Sequence, residues 1–244
     1  MTHLCRKSCS AWAGKSVKWR RKILKKRLMT VVLACVTALA LTACGDKEFS
    51  PVKGGLYVND DHTVKSSYVE DFSGDGLNLD ELKSMAQAEI EAYNQEKAGL
   101  NYYSVDQFKD QEGMEDTVLP ISIENIAMDE ENTNELVAIL DYATAADYVA
   151  YNQDDITSGG GTTLAVGTVG DSPVSIEGSF VTIHGKTVEL SEIMEESDYH
   201  VVYLDFAATV TVNGTVQYIS TNVSCQTRNV VTTPGGEGAF IIFK

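Results

Sequence analysis

The chain predicts an α+β fold: antiparallel sheets with one main amphipathic helix over residues 78–98 and one or two short helices. Three observations lead there. Short alternating apolar runs outnumber helical periods. Strands and helices do not alternate regularly, as a doubly wound parallel sheet would require. Asn213-Gly214 stands between two β-rich runs, and this dipeptide is the strongest short-range hairpin signal.

Taken in order, residues 56–59 and 63–72 read as two strands around the polar turn Asn59-Asp60-Asp61-His62. The helix follows. Asn78 is its N-cap and Glu81, three residues on, completes a capping pair; Gly99 supplies the stop. Leu79, Leu82, Ala86, Ile90 and Tyr93 recur at three and four, which sets one stripe against a core and leaves Lys83, Gln87, Glu91 and Asn94 outward. Residues 101–116 are polar, with a short helix around 105–109. Residues 117–126 and 135–142 are strands on either side of an acidic turn, and Thr144-Ala145-Ala146-Asp147 repeats a capping pattern before a helix through Tyr148 and Tyr151. Residues 154–161 read as a loop and 163–169 as a strand. Residues 179–184 and 186–190 flank a turn at Gly185, and 191–197 make a helical turn or two. Residues 200–206, 207–212, 215–225 and 239–243 complete the strands, the second and third joined as a hairpin at Asn213-Gly214.

The segment before residue 44 has a different character. A basic cluster, Arg20-Arg21-Lys22 and Lys25-Lys26-Arg27, precedes the apolar run of residues 29–41, which ends in Leu41-Thr42-Ala43-Cys44. That run has the length of a signal peptide's apolar core, short of the ~20 apolar residues of a membrane span, and a permanent span is the alternative reading. The pattern resembles the lipobox of bacterial lipoprotein signal peptides. The resemblance implies that residues 1–43 are removed, that Cys44 carries a diacylglycerol, and that the mature protein sits on the extracytoplasmic face of the cell membrane. The long basic leader is read as starting, in translation, near Leu24. Residues 44–54, with Pro51 and Gly54 near their end, are then a tether, and residues 55–244 the domain, with its best internal boundary near 100–116.

Charge follows the same division. Ten of the 19 Lys and Arg lie before Cys44 and none of the 35 acids does, so the part from Cys44 onward holds nine cations against 35 acids, a net −26. Such a surface argues against nucleic acid, where cations must replace counterions along the phosphates, and suits an exported, self-repelling protein. Cys5, Cys9 and Cys35 leave with the leader, so Cys225 is the one unmodified thiol and has no intramolecular partner for a disulfide.

The chemistry-bearing stretches are few. Asp71-Phe72-Ser73-Gly74-Asp75-Gly76 opens like a calcium loop: Asp71, Ser73 and Asp75 match ligand positions one, three and five, and Gly76 the turn glycine. The match ends there, because Leu82 stands where a bidentate acid belongs. The stretch reads as a turn leading into the N-cap, with a calcium site as the alternative. Asp129-Glu130-Glu131 with Glu135 is a second acidic cluster, read as solvated. Gly159-Gly160-Gly161 lacks the lysine and helix of a phosphate loop. His62, His184 and His200 show no zinc spacing, so a zinc site would have to be assembled from distant residues; a triad of Cys225 with His184 or His200 rests on residue types alone. Eleven tyrosines with no tryptophan after residue 43 offer a glycan- or peptide-binding face, against the plainer reading that they are half-buried.

Gly55-Leu56-Tyr57-Val58, Val69-Glu70-Asp71-Phe72, residues 79–93 and Tyr142-Ala143-Thr144-Ala145-Ala146-Asp147-Tyr148, before Val166-Gly167-Thr168-Val169, resemble a group of uncharacterised lipoproteins of anaerobic Gram-positive bacteria. That resemblance implies export and attachment, and no catalytic residue. The expectation is a lipid-anchored module, not an enzyme, that binds a protein, peptide or glycan and carries no cofactor. The alternatives are an extracytoplasmic hydrolase and a structural accessory subunit of an envelope complex.

Overall fold

A computed structural model describes residues 49–71, 78–129, 134–158 and 161–244. Two sheets carry the fold. The first has seven strands in the order β11-β12-β9-β1-β2-β4-β3: β1 (Gly55–Val58), β2 (Val64–Asp71), β3 (Ile121–Met128), β4 (Glu135–Tyr142), β9 (Ala208–Val212), β11 (Ser224–Cys225) and β12 (Val230–Thr233). The second has six in the order β5-β8-β13-β10-β6-β7: β5 (Leu164–Thr168), β6 (Phe180–Thr182), β7 (Thr187–Val188), β8 (His200–Leu204), β10 (Val216–Ser220) and β13 (Ala239–Phe243). This is the α+β class expected. All ladders are antiparallel except β1 with β9, which run parallel from Gly55↔Thr209 to Val58↔Val212. The described residues belong to one compact unit, Cys44–Lys244.

Hydrophobic burial between the sheets explains the strand patterns. Leu56, Val58, Val64, Val210 and Val212 from the first sheet share a core cluster with Leu164, Val202, Leu204, Val216, Ile219, Ile241 and Phe243 from the second. The second sheet has a further core on its other face, where Val201, Phe240 and Ile242 meet Phe180, Val188 and Ile193. Ile193 comes from the short helix Leu190–Met194. Side chains alternate across a strand, so β13 sends Ile241 and Phe243 to one core and Phe240 and Ile242 to the other; all five of its residues are buried.

Helix α1 (Leu79–Ala98) packs on β3. The Asn78 Oδ1 takes the amide of Asp80 at 2.8 Å, and Gly99 ends the helix in the left-handed region with φ 72°. One expectation on this helix is reversed: Asn94, assigned to the outward face, is fully buried. Its Nδ2 donates to the carbonyls of Tyr102 (2.8 Å) and Ile121 (2.7 Å), and its Oδ1 accepts the Ile121 amide at 3.1 Å. The side chain supplies a ladder partner to the first residue of β3.

Three further expectations are corrected. Residues 153–158 form helix α3 (Gln153–Ser158) rather than a loop, continuing from α2 (Ala145–Tyr151). Ile156 is buried, four residues beyond buried Asn152 and eight beyond buried Tyr148, and the apolar spacing is hidden by the polar residues between them. Asn213-Gly214 is not a hairpin: β9 lies in the first sheet and β10 in the second. The Asn213 amide still bonds the Val58 carbonyl at 2.9 Å, while the Thr215 amide already bonds that of Lys244 at 2.7 Å. A Cβ on Gly214 would meet the Lys244 carbonyl oxygen at 2.8 Å, so glycine serves a close backbone approach where the chain changes sheets. Finally, the strand read over 215–225 divides at a turn into β10 and β11, again in different sheets.

Truncating Asn94→Ala leaves the Ile121 amide and two carbonyls without their partner in a buried place. We expect a loss of about 2–4 kcal/mol in unfolding free energy, read as a lowered urea midpoint with an unchanged slope.

Candidate functional site

The turn from β1 to β2 is a three-residue loop. The His62 amide bonds the Asn59 carbonyl at 3.1 Å and the Asn59 amide bonds that of Thr63 at 3.0 Å. His62 then occupies the left-handed position that closes such loops, with φ 70°, the one non-glycine positive φ among the described residues. Glycine is the usual occupant; an L side chain there costs about 1 kcal/mol, although histidine is one of the few enriched in that region. The Asp61 carboxylate braces the loop, accepting from the Thr63 hydroxyl at 2.7 Å and its amide at 3.0 Å. These bonds, the hydroxyl first, hold Asp61 below the ordinary carboxylate range.

The turn carries the His62 ring to His200, the first residue of β8. Nε2 of His62 lies 3.3 Å from Nδ1 of His200, the rings meeting edge to face at 76°. His200 pairs with Phe243 in the ladder and stacks on its ring, centroids 5.0 Å apart at 26°. Burial, then the neighbouring His62, lowers the His200 pKa below the ordinary imidazole value, against opposing pulls from Asp60 and Asp198. Asp60 also accepts from Asn213 Nδ2 at 3.3 Å, at the point where the chain changes sheets.

A second feature is concave. An open groove of about 420 Å³ runs between α2 and β5, lined by Ala146, Val149, Ala150, Gln153, Thr162, Thr163 and Leu164. One wall is fixed by Asp205, whose Oδ1 accepts the amides of Thr162 (2.8 Å) and Thr163 (2.9 Å). The other wall, α2, is capped by Thr144, whose hydroxyl accepts the Asp147 amide at 3.1 Å. Behind it lies a polar network in the core. Tyr68 donates to the Asn152 Oδ1 at 2.5 Å, and Asn152 Nδ2 donates to the Tyr142 hydroxyl (3.1 Å) and the Tyr148 carbonyl (3.0 Å). Burial pushes the Tyr68 hydroxyl well above its ordinary pKa, which keeps it a donor. Tyr142 and Tyr148 are therefore core residues, packed edge to face with ring centroids 5.1 Å apart, and not a ligand face.

The remaining sequence candidates separate. The Cys225 thiol donates to the Thr227 carbonyl at 2.9 Å and burial raises its pKa, while His200 is engaged with His62 and His184 is exposed on a turn. No triad is assembled from Cys225 and an imidazole among the described residues. Asp71 ends β2, exposed and opposite Glu135 in the register; Ser73, Asp75, Glu130, Glu131 and Cys44 lie outside the described residues. Among the described residues no three of His, Cys, Asp and Glu are grouped to hold a metal, and no helix is long and apolar enough to cross a membrane. The His62–His200 pair escaped the sequence reading because the two residues lie far apart in the chain on different sheets. The usable signal was a histidine in the turn position where glycine is usual. Comparison with family models, with curated proteins and with solved structures found no match.

The depressed pKa of His200 fixes a pH dependence. As pH falls through about 6.5, the unfolded chain takes up this proton before the folded one does, so folding stability declines with falling pH and levels off below the folded pKa. Urea unfolding between about pH 8 and pH 5 should show that decline, and His200→Asn should flatten it.

Proposed function

We propose that this chain is a lipid-anchored extracytoplasmic module that binds a peptide or glycan segment in the groove between α2 and β5. The groove's lining carries the reading. Its described residues offer methyl groups, two threonine hydroxyls and one amide, with no carboxylate, imidazole or thiol. That mix suits contact with an uncharged ligand through apolar area and a few placed hydrogen bonds. Three groups able to do acid, base or nucleophilic chemistry are engaged elsewhere: His200 with His62, Cys225 with the Thr227 carbonyl, and Asp205 with the groove's own wall. A hydrolase would bring such groups to the concave surface.

Attachment rests on Leu41-Thr42-Ala43-Cys44 after the basic and apolar leader, together with the excess of acids from Cys44 onward. Diacylation at Cys44 would put the domain at the membrane surface through the tether of residues 44–54, and the acidic surface would keep it off anionic lipid.

Two measurements test this. Cys44→Ala should move the protein from the membrane fraction to the soluble one; unchanged retention rejects lipid attachment at that residue. A binding screen of the full chain in detergent against cell-wall fragments, glycans and peptides should return a ligand whose affinity drops tenfold or more in Ala150→Trp, which fills the groove while leaving the buried face of α2 alone. Turnover of a screened compound would replace the binding reading with the hydrolase.

A further inference from the structure

The geometry points to a second site, independent of the groove: we propose that His62 and His200 chelate a zinc-class divalent transition metal across the end of the two sheets. The nitrogen–nitrogen edge of a tetrahedral zinc centre, with Zn–N of about 2.0–2.1 Å, is about 3.3–3.4 Å. Nε2 of His62 and Nδ1 of His200, hydrogen-bonded to each other, stand 3.3 Å apart, which is the length of that edge. Imidazole is a ligand shared by zinc, copper and nickel.

The His200 ring and the backbone that carries His62 are held before any metal arrives. His200 is fixed by its ladder pairing and by stacking on Phe243. The backbone of His62 is fixed by the closed turn and the Asp61 brace, and its ring rests edge to face against that of His200. Binding asks only that each ring carry its proton on the other nitrogen, Nε2 of His200 and Nδ1 of His62, so that both facing lone pairs are free. Asp60 and Asp198 place negative charge near His200, and water fills the remaining coordination positions. The two ligands come from different sheets, so the metal would tie the β1–β2 turn to the start of β8.

The test uses the full chain, purified in mild detergent and chelator-free buffer at about pH 7.5, above the ordinary pKa of imidazole. Zinc chloride at about 1 mM should raise the melting temperature by about 5 °C or more, and EDTA should reverse the shift. His62→Gly suits the left-handed backbone and keeps the fold. It should abolish the shift, and His200→Asn should do the same. Calcium at the same concentration should give no shift, which separates chelation from general attraction to the acidic surface. An unshifted wild type, a shift that persists in either variant, or an equal response to calcium overturns the proposal. Zinc held elsewhere in the chain is recognised by its survival in both variants.

Discussion

The structure turns on β13, a strand with no outward face. All five of its side chains are buried, and it pairs with β8 on one side and β10 on the other. A strand covered on both faces must be apolar throughout, and Ala239–Phe243 meets that demand. Its end organises what lies around it. Phe243 seats the ring of His200, and the carbonyl of Lys244 both receives the first amide after the sheet change and forbids any side chain at residue 214. The histidine pair and the crossing from β9 to β10 are set by the same few atoms.

A polar network embedded in an apolar core does the corresponding work for the groove. Burying an amide and several hydroxyls is unfavourable unless each finds a partner. Asn152 meets this condition by accepting from Tyr68 and donating to Tyr142 and the Tyr148 carbonyl, while Ser66 reaches the Tyr142 hydroxyl at 3.2 Å. These bonds are directional where apolar contact is not, so they specify how α2 sits against the first sheet. They also give Tyr68 and Tyr142 a double role: their rings lie in the core region and their hydroxyls bond Asn152 at the end of the helix. A surface set of ligand-binding aromatics would need neither.

Local signals in the sequence suffice where local forces decide. The N-terminal hairpin, the caps of α1, strand β4 and strand β13 all follow from turn chemistry, capping and apolar runs. Long-range forces decided the rest. Asn94 looked solvent-facing because its partners, Tyr102 and Ile121, come from later in the chain. Asn213-Gly214 has hairpin composition, yet β9 is claimed by β1 and β12, and β10 by β13 and β6. Strand β12 passed unnoticed because Val230-Val231-Thr232-Thr233 is a short run whose alternation shows only once β9 is beside it. The groove gave no sequence sign, since alanine, valine and threonine are ordinary wall material.

The parallel pairing of β1 with β9 has a kinetic consequence. Gly55 to Val58 pair on one edge with the nearby β2, but on the other edge find their parallel partners only at Thr209 to Val212. Pairings between such distant segments form slowly, since a long loop must close before any contact rewards it. The first sheet is therefore left as two halves, β2-β4-β3 with β1 on one side and β9 with β12 on the other, until β9 is available. Such a topology delays commitment: the two halves of the first sheet become one only once β9 reaches β1.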